Sequence, residues 1–220
     1  FIHATPFANL SIMPADAALE ELQGKLESRY KIYKLKEALD ALDFDEIWID
    51  TPPALHFYTR SALIAADRCL IPFDCDEFAR RALYTLLDNV AEIRADHNAA
   101  LEVEGIVVNQ FQARASLPQQ LLDELISEGL PVLPVYLSSS VKMRESHQAC
   151  MPLIFLEPKH KLTQQFVELY LTGGSAVLLE AGVEVVVLTD DETKDRIAER
   201  FAMPGLTFEG LRLKQAGEYA

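Results

Sequence analysis

The chain has 220 residues, 34 acidic against 20 basic, a formal net charge of −14, and half of its residues are hydrophobic. That composition suits one well-packed domain with an appendage, and it excludes global disorder and a surface that is basic everywhere. Three scattered cysteines exclude a disulfide framework or a closed zinc set and fit a reducing compartment; no apolar run reaches the roughly 18 residues of a membrane span.

Leu10 to Met13 form a short apolar stretch stopped by Pro14, which reads as a strand and turn. Residues 17–41 place Leu19, Leu22, Leu26, Tyr30, Leu35 and Leu39 mostly at spacings of three or four, which predicts a helix. Residues 45–50 are a brief apolar strand ending in Asp50. An alanine-rich helix is predicted over 58–67, and Cys69 to Phe73 read as a second buried strand. Residues 77–94 carry the clearest amphipathic stripe, Ala79, Leu83, Leu86, Val90 and Ile93. LEVEGIVVN, 101–109, is a third strand. Ser116 and Pro118 open a helix that Gly129 is placed to end. Pro131 to Leu137 read as a fourth strand, Ser140 as the cap of a short helix over 141–149, and 159–171 as a last amphipathic helix.

Strands alternating with helices of this length predict an α/β fold, a mostly parallel sheet flanked by helices on both faces. Leu171-Thr172-Gly173-Gly174-Ser175 interrupts the pattern. VEVVVLTD, a helix through 192–202 and the alternating LTFEGLRL follow it, either as an extra edge unit or as a separate piece. The expected division is therefore 1–173 and a tail over 174–220.

Asp50 is the leading candidate for chemistry. An acid at the carboxyl end of a parallel strand faces the crevice where such sheets bind ligands, and can hold magnesium directly or through water. The alternative is a strand-ending Asp that caps a turn. Thr51 adds a hydroxyl, and Pro52-Pro53 stiffen the turn by fixing φ. His147 and Cys150, three apart, are a weaker pair that lacks further orienting groups. Asp74, Asp76 and Glu77 read either as a divalent-ion loop or as a solvated turn entering a helix.

FDEIWIDTPPAL, 44–55, resembles a segment of the ParA-type chromosome and plasmid partition ATPases, relatives of MinD within the deviant P-loop group. SALIAADRCLIPFDCDEF (61–78), LEVEGIVVNQFQAR (101–114), VYLSSSVKMRES (135–146) and LSIMPA (10–15) resemble further segments of the same family, in order, over about 165 residues. The resemblance implies a P-loop NTPase-like ATPase that dimerises around ATP and magnesium. It also implies that the nucleotide-bound dimer binds DNA without sequence preference, and that a centromere-binding, ParB-like partner stimulates hydrolysis. A cytoplasmic, nucleoid-associated location follows from the same likeness.

Residue by residue, the resemblance makes Asp50 the magnesium-linked acid, acting through water and only with ATP, and Thr51 and Pro52 the turn that senses the γ-phosphate. Asn109, Val135, Tyr136 and Leu137 fall in the nucleotide-base region. Lys142 and Arg144 fall on the DNA-facing segment, where the alternative is plain solvent-facing charge paired with Glu145. Removing residues 175–220, with 5 bases and 9 acids, leaves 15 and 25, so any DNA contact needs a segregated basic face.

The family's KGGxGKT loop is not found in residues 1–220, nor is the first-switch acid. The expectation is therefore an N-terminally incomplete ATPase domain with no complete catalytic set, unable by itself to hydrolyse ATP. A non-catalytic adaptor or interaction protein derived from the same fold is the alternative.

Overall fold

The structure, a computed structural model, describes residues 2–7, 9–15, 18–52, 55–172 and 185–189, with the backbone alone at 18–20 and 185–189. The expected helix over 192–202 and the LTFEGLRL segment lie outside the described residues. The elements in chain order are β1 (His3–Ala4), β2 (Leu10–Pro14), α1 (Ala18–Ser28), α2 (Lys34–Leu39), β3 (Glu46–Ile49), α3 (Phe57–Ala65), β4 (Arg68–Asp74), α4 (Glu77–Asp96), β5 (Glu102–Asn109), α5 (Ser116–Ser127), α6 (Val141–Ala149), α7 (Leu153–Leu156), α8 (Lys161–Thr172) and β6 (Val185–Thr189).

The helix expected over 17–41 is two helices. After Ser28 the chain turns at Tyr30, whose φ is 53°. The Tyr30 N–H donates to the Glu27 carbonyl and the Lys31 N–H to the Leu26 carbonyl, each at 3.0 Å. This pair of bonds is a Schellman ending, normally built on glycine because a side chain disfavours left-handed backbone. Beyond the break, α2 packs Leu35 and Leu39 with Ile47 and Ile49 of β3. Gly129, at φ 78°, ends α5 with the same pair of bonds, as the sequence predicts.

Among the described residues two sheets carry the fold. In the first the order is β1-β2-β6-β3, with β1 antiparallel to β2 and the other pairings parallel. In the second, β4 runs parallel to β5 from Arg68↔Glu102 to Asp74↔Asn109. β5 shows why a continuous apolar run marks a strand covered on both faces. Ile106 packs with Ile71, Phe73, Leu83 and Leu125 on one side. Its neighbour Val107 packs with Leu137, Leu153 and Leu162 on the other. Each such buried side chain contributes about 1.5–3 kcal/mol relative to exposure. β3 is different: none of its residues is fully buried, and Trp48 is 37 % exposed.

Two expectations change. Residues 131–137 form no continuous strand; they meet β5 at the isolated bridge Ile106↔Val132 and through the Leu137 N–H on the Val108 carbonyl, and the bridge Phe111↔Ser138 lies just past both segments. Pro131 and Pro134 have no N–H to donate, so the ladder cannot run through them. The tail's VEVVVLTD is the second change. Residues 185–189 lie inside the first sheet, where Val187 pairs with Ile12 on one side and Trp48 on the other. An edge unit or a separate piece does not describe that placement. Tyr170, near the end of α8, donates its hydroxyl to Glu46 at 3.0 Å, tying this helix to the start of β3.

The helix ends are secured locally. Asp76 caps α4 by accepting from the Ala79 N–H at 2.8 Å, which is what the acidic loop after β4 does. The Asn98 carboxamide donates to the carbonyls of Leu63, Ile64 and Ala66, satisfying the exposed end of α3.

Candidate functional site

Asp50 follows Ile49 directly, at the carboxyl end of β3, and is exposed together with Thr51 and Pro52. The turn beyond it is tied to α3, where buried Thr59 donates its hydroxyl to the Pro52 carbonyl at 3.4 Å. One exposed carboxylate at a parallel strand end can take a cation together with water and a ligand's own oxygens. Among the described residues no group of three or more His, Cys, Asp or Glu gathers into a metal cage.

A cavity of about 630 Å³ opens beyond the carboxyl end of β5. The chain leaves β5 through Gln110, at φ 50°, and the segment from Phe111 to Arg114 forms one wall. The segment through Pro134, Val135, Tyr136 and Ser138 forms the second. Lys161, Gln165 and Glu168, spaced along one face of α8, form the third. The Phe111 and Tyr136 rings meet edge to face, centroids 5.1 Å apart and planes at 62°. Arg114 and Lys161 are both exposed, so the mouth presents two cations beside two aromatic rings. Such a lining accepts a flat, electron-rich ring and an anionic group on one molecule.

The four expected base-region residues divide. Val135 and Tyr136 line the cavity. Leu137 is turned into the core against Val107, Leu153 and Leu162. Asn109 donates to Asp74 at 3.0 Å, and Gln110 donates to the second oxygen of the same carboxylate at 3.2 Å. Asp74 thus fastens the end of β5, and the Asn109 carboxamide is used on its neighbour. The sequence reading missed Phe111, Arg114, Lys161 and Gln165. Phe111 and Arg114 lie in the quoted segment 101–114, whereas nothing local in α8 marks Lys161 or Gln165.

Lys142 lies 2.8 Å from Glu145 and 3.0 Å from Glu157, and these hydrogen bonds hold its ammonium charged by raising its pKa. Arg144 is exposed on the same helix. Arg80 joins α4 to the C-terminal end of α5 through Glu124 and Glu128. His147 and Cys150 do not share a helix face, because Cys150 is the left-handed residue that ends α6.

A family model described as an AAA domain matches residues 1–103. The chromosome partitioning protein ParA of Caulobacter vibrioides is 28 % identical over 171 residues, covering 75 % of this chain and 64 % of that protein. The chain therefore spans less than two-thirds of that relative's length. Among solved structures, apo McdA from Cyanthece superposes with a TM-score of 0.69 at 20 % identity, covering 79 % of this chain and 71 % of that one. Cobyrinic acid a,c-diamide synthase from Mycobacterium smegmatis, solved with an ATP analog and magnesium, gives 0.63 at 23 % identity, covering 79 % and 65 %. Both superpositions fix the fold as the α/β, P-loop NTPase-like class. No helix among the described residues is long and apolar enough to cross a membrane.

Proposed function

We propose that this chain, similar to ParA-type partition ATPases over three-quarters of its length, is one of them and serves DNA partition through a nucleotide-responsive site. Residues 1–220 carry the acid and the base-binding parts of that site. The observation that carries the reading is the cavity beyond β5, with two rings for a base and Arg114 and Lys161 for phosphate oxygens. Val135 and Tyr136 contact the base, while Asn109 and Leu137 stand behind the wall.

Asp50 is the magnesium-linked acid of the proposal, with Thr51 and Pro52 as the turn that responds to the terminal phosphate. An exposed carboxylate at a strand end fits magnesium, which keeps several waters and takes one or two carboxylates beside substrate phosphates. When bound, the ion supplies neutralisation of phosphate charge. The residues themselves do the positioning: Thr59 holds the turn at Pro52, and α3 fixes Thr59. A homodimer, a centromere-binding partner and non-specific DNA are the proposed partners, in the cytoplasm beside the nucleoid. For DNA, Arg144 carries more weight than Lys142, whose charge is already met by Glu145 and Glu157.

No glycine-rich loop with its lysine occurs within residues 1–220. Phosphoryl transfer depends on such groups to organise the phosphates. A polypeptide of these 220 residues is therefore expected to turn over no ATP. Phosphate release is measured at millimolar magnesium-ATP; a rate like that of complete partition ATPases would overturn this expectation.

A further inference from the structure

Gln165 lies on α8, half-buried, and uses both ends of its carboxamide on one short segment of backbone. Its Nε2 donates to the Tyr136 carbonyl at 2.7 Å, and its Oε1 accepts from the Ser138 N–H at 3.0 Å. Leu137, between those two residues, bonds the other way: its N–H donates to the Val108 carbonyl and its carbonyl accepts from the Phe111 N–H, both at 2.8 Å. Residues 136–138 are thus held on one side by β5 and on the other by a single side chain acting as a neighbouring strand. Strand backbone alternates its polar groups between its two edges, so a carboxamide reaching the outer edge meets one acceptor and one donor. Pro134, two residues upstream of Tyr136, adds no N–H to a ladder that holds only two bridges here. Gln165 also lines the cavity whose ring wall is the Phe111–Tyr136 pair.

We propose that Gln165 is a positioning residue for the cavity: it fixes the Tyr136 segment against Phe111 and so sets the position of the aromatic wall on which a flat ring would rest. The ligand part of this inference rests on the nucleotide reading of the cavity; the backbone part does not.

The test uses the full 220-residue chain with Gln165→Leu, which keeps bulk and loses both hydrogen bonds, and Gln165→Glu, which keeps the acceptor for Ser138. Three quantities are read: residue-resolved amide exchange, the near-ultraviolet circular dichroism of the aromatic pair, and binding of adenosine 5′-monophosphate by ligand-observed NMR. In Gln165→Leu the Ser138 amide exchanges at least tenfold faster, the aromatic band weakens, and the nucleotide binds at least fivefold more weakly. The Phe111 amide, bonded to the Leu137 carbonyl, and the Leu137 amide, bonded to Val108 of β5, keep their protection, and Gln165→Glu restores that of Ser138. Unchanged Ser138 exchange in Gln165→Leu overturns the proposal, and so does uniform loosening of all three amides, which marks a merely structural role. If the unsubstituted chain binds no adenosine monophosphate at millimolar concentration, the nucleotide reading fails, and Ser138 exchange still decides the role of Gln165.

Discussion

Gly105 sits in β5 where a methyl group has nowhere to go. A Cβ built there meets Leu133 Cγ at 2.5 Å and its two methyl carbons at 2.6 and 3.0 Å. Carbon atoms prefer about 3.5–4.0 Å, so relief demands a displacement of roughly 1 Å. Leu133 cannot give that freely: its N–H donates to the Ile106 carbonyl at 3.0 Å, and its side chain packs with Val107, Leu137, Leu153 and Leu162. Overpacking of this kind costs about 1–3 kcal/mol, and Gly105→Ala is expected to fall in that range. The assay is urea unfolding, with a lower midpoint and an unchanged slope. Leu133→Ala alone should cost about 2–5 kcal/mol as a cavity. The double variant should be at least 1 kcal/mol more stable than the sum of the two single effects, because the clash and the cavity cancel. Strict additivity, or a Gly105→Ala chain within 0.5 kcal/mol of the original, would refute the reasoning. Pro134 follows Leu133 directly, so the same substitution should also weaken ligand binding in the cavity.

Val187→Pro removes an N–H from the strand that joins β2 to β3. It is expected to cost about 3 kcal/mol and to release amide protection in residues 10–14 and 46–49 while β4 and β5 keep theirs. Equal protection in all four strands would place the tail outside the sheet. Burial, with Asp74 and Asp76 beside it, pushes the Cys75 thiol up to about 11. In the unfolded chain such a thiol ionises near about 8.5, so the unfolded state loses its proton first and stability falls as pH rises through that window. The loss of unfolding midpoint between pH 8 and pH 10.5 should be smaller in Cys75→Ala; an equal loss would exclude Cys75 as its source.

The parts of the fold legible in the sequence are those whose burial repeats with one period. The α4 stripe buries Leu83, Val90 and Ile93 as its spacing predicts, and the apolar run of β5 is covered on both faces. Legibility stops where backbone or distant contacts decide. The break at Tyr30 leaves only a faint mark in hydrophobic spacing, a step of five residues from Tyr30 to Leu35 among steps of three and four. Pro131 and Pro134 carry the information that 131–137 cannot form a ladder, but the apolar residues around them outweigh it in a pattern reading. The interior place of β6 depends on pairing with residues more than 130 positions earlier, which no local signal contains.

For the candidate site, the place of Asp50 just past the carboxyl end of β3 is legible because the apolar run before it reads as a strand. The cavity is only half legible. Val135 and Tyr136 line it, yet Leu137 turns inward because neighbouring residues on an extended segment point to opposite sides. Asn109 was expected at the base, but its donor is taken by Asp74, a partner 35 residues away. Lys161, Gln165 and Glu168 reach the cavity because α8 folds back over β5, a placement set by packing of Leu162 against Val107 and Leu137.

The most direct test of the account is an NMR titration of the isotopically labelled 220-residue chain with adenosine 5′-monophosphate, followed at backbone amides. The account predicts shift changes concentrated at Phe111 to Arg114, Val135 to Ser138 and Lys161 to Glu168. Changes centred on α6 and α7, or none at millimolar nucleotide, would contradict it.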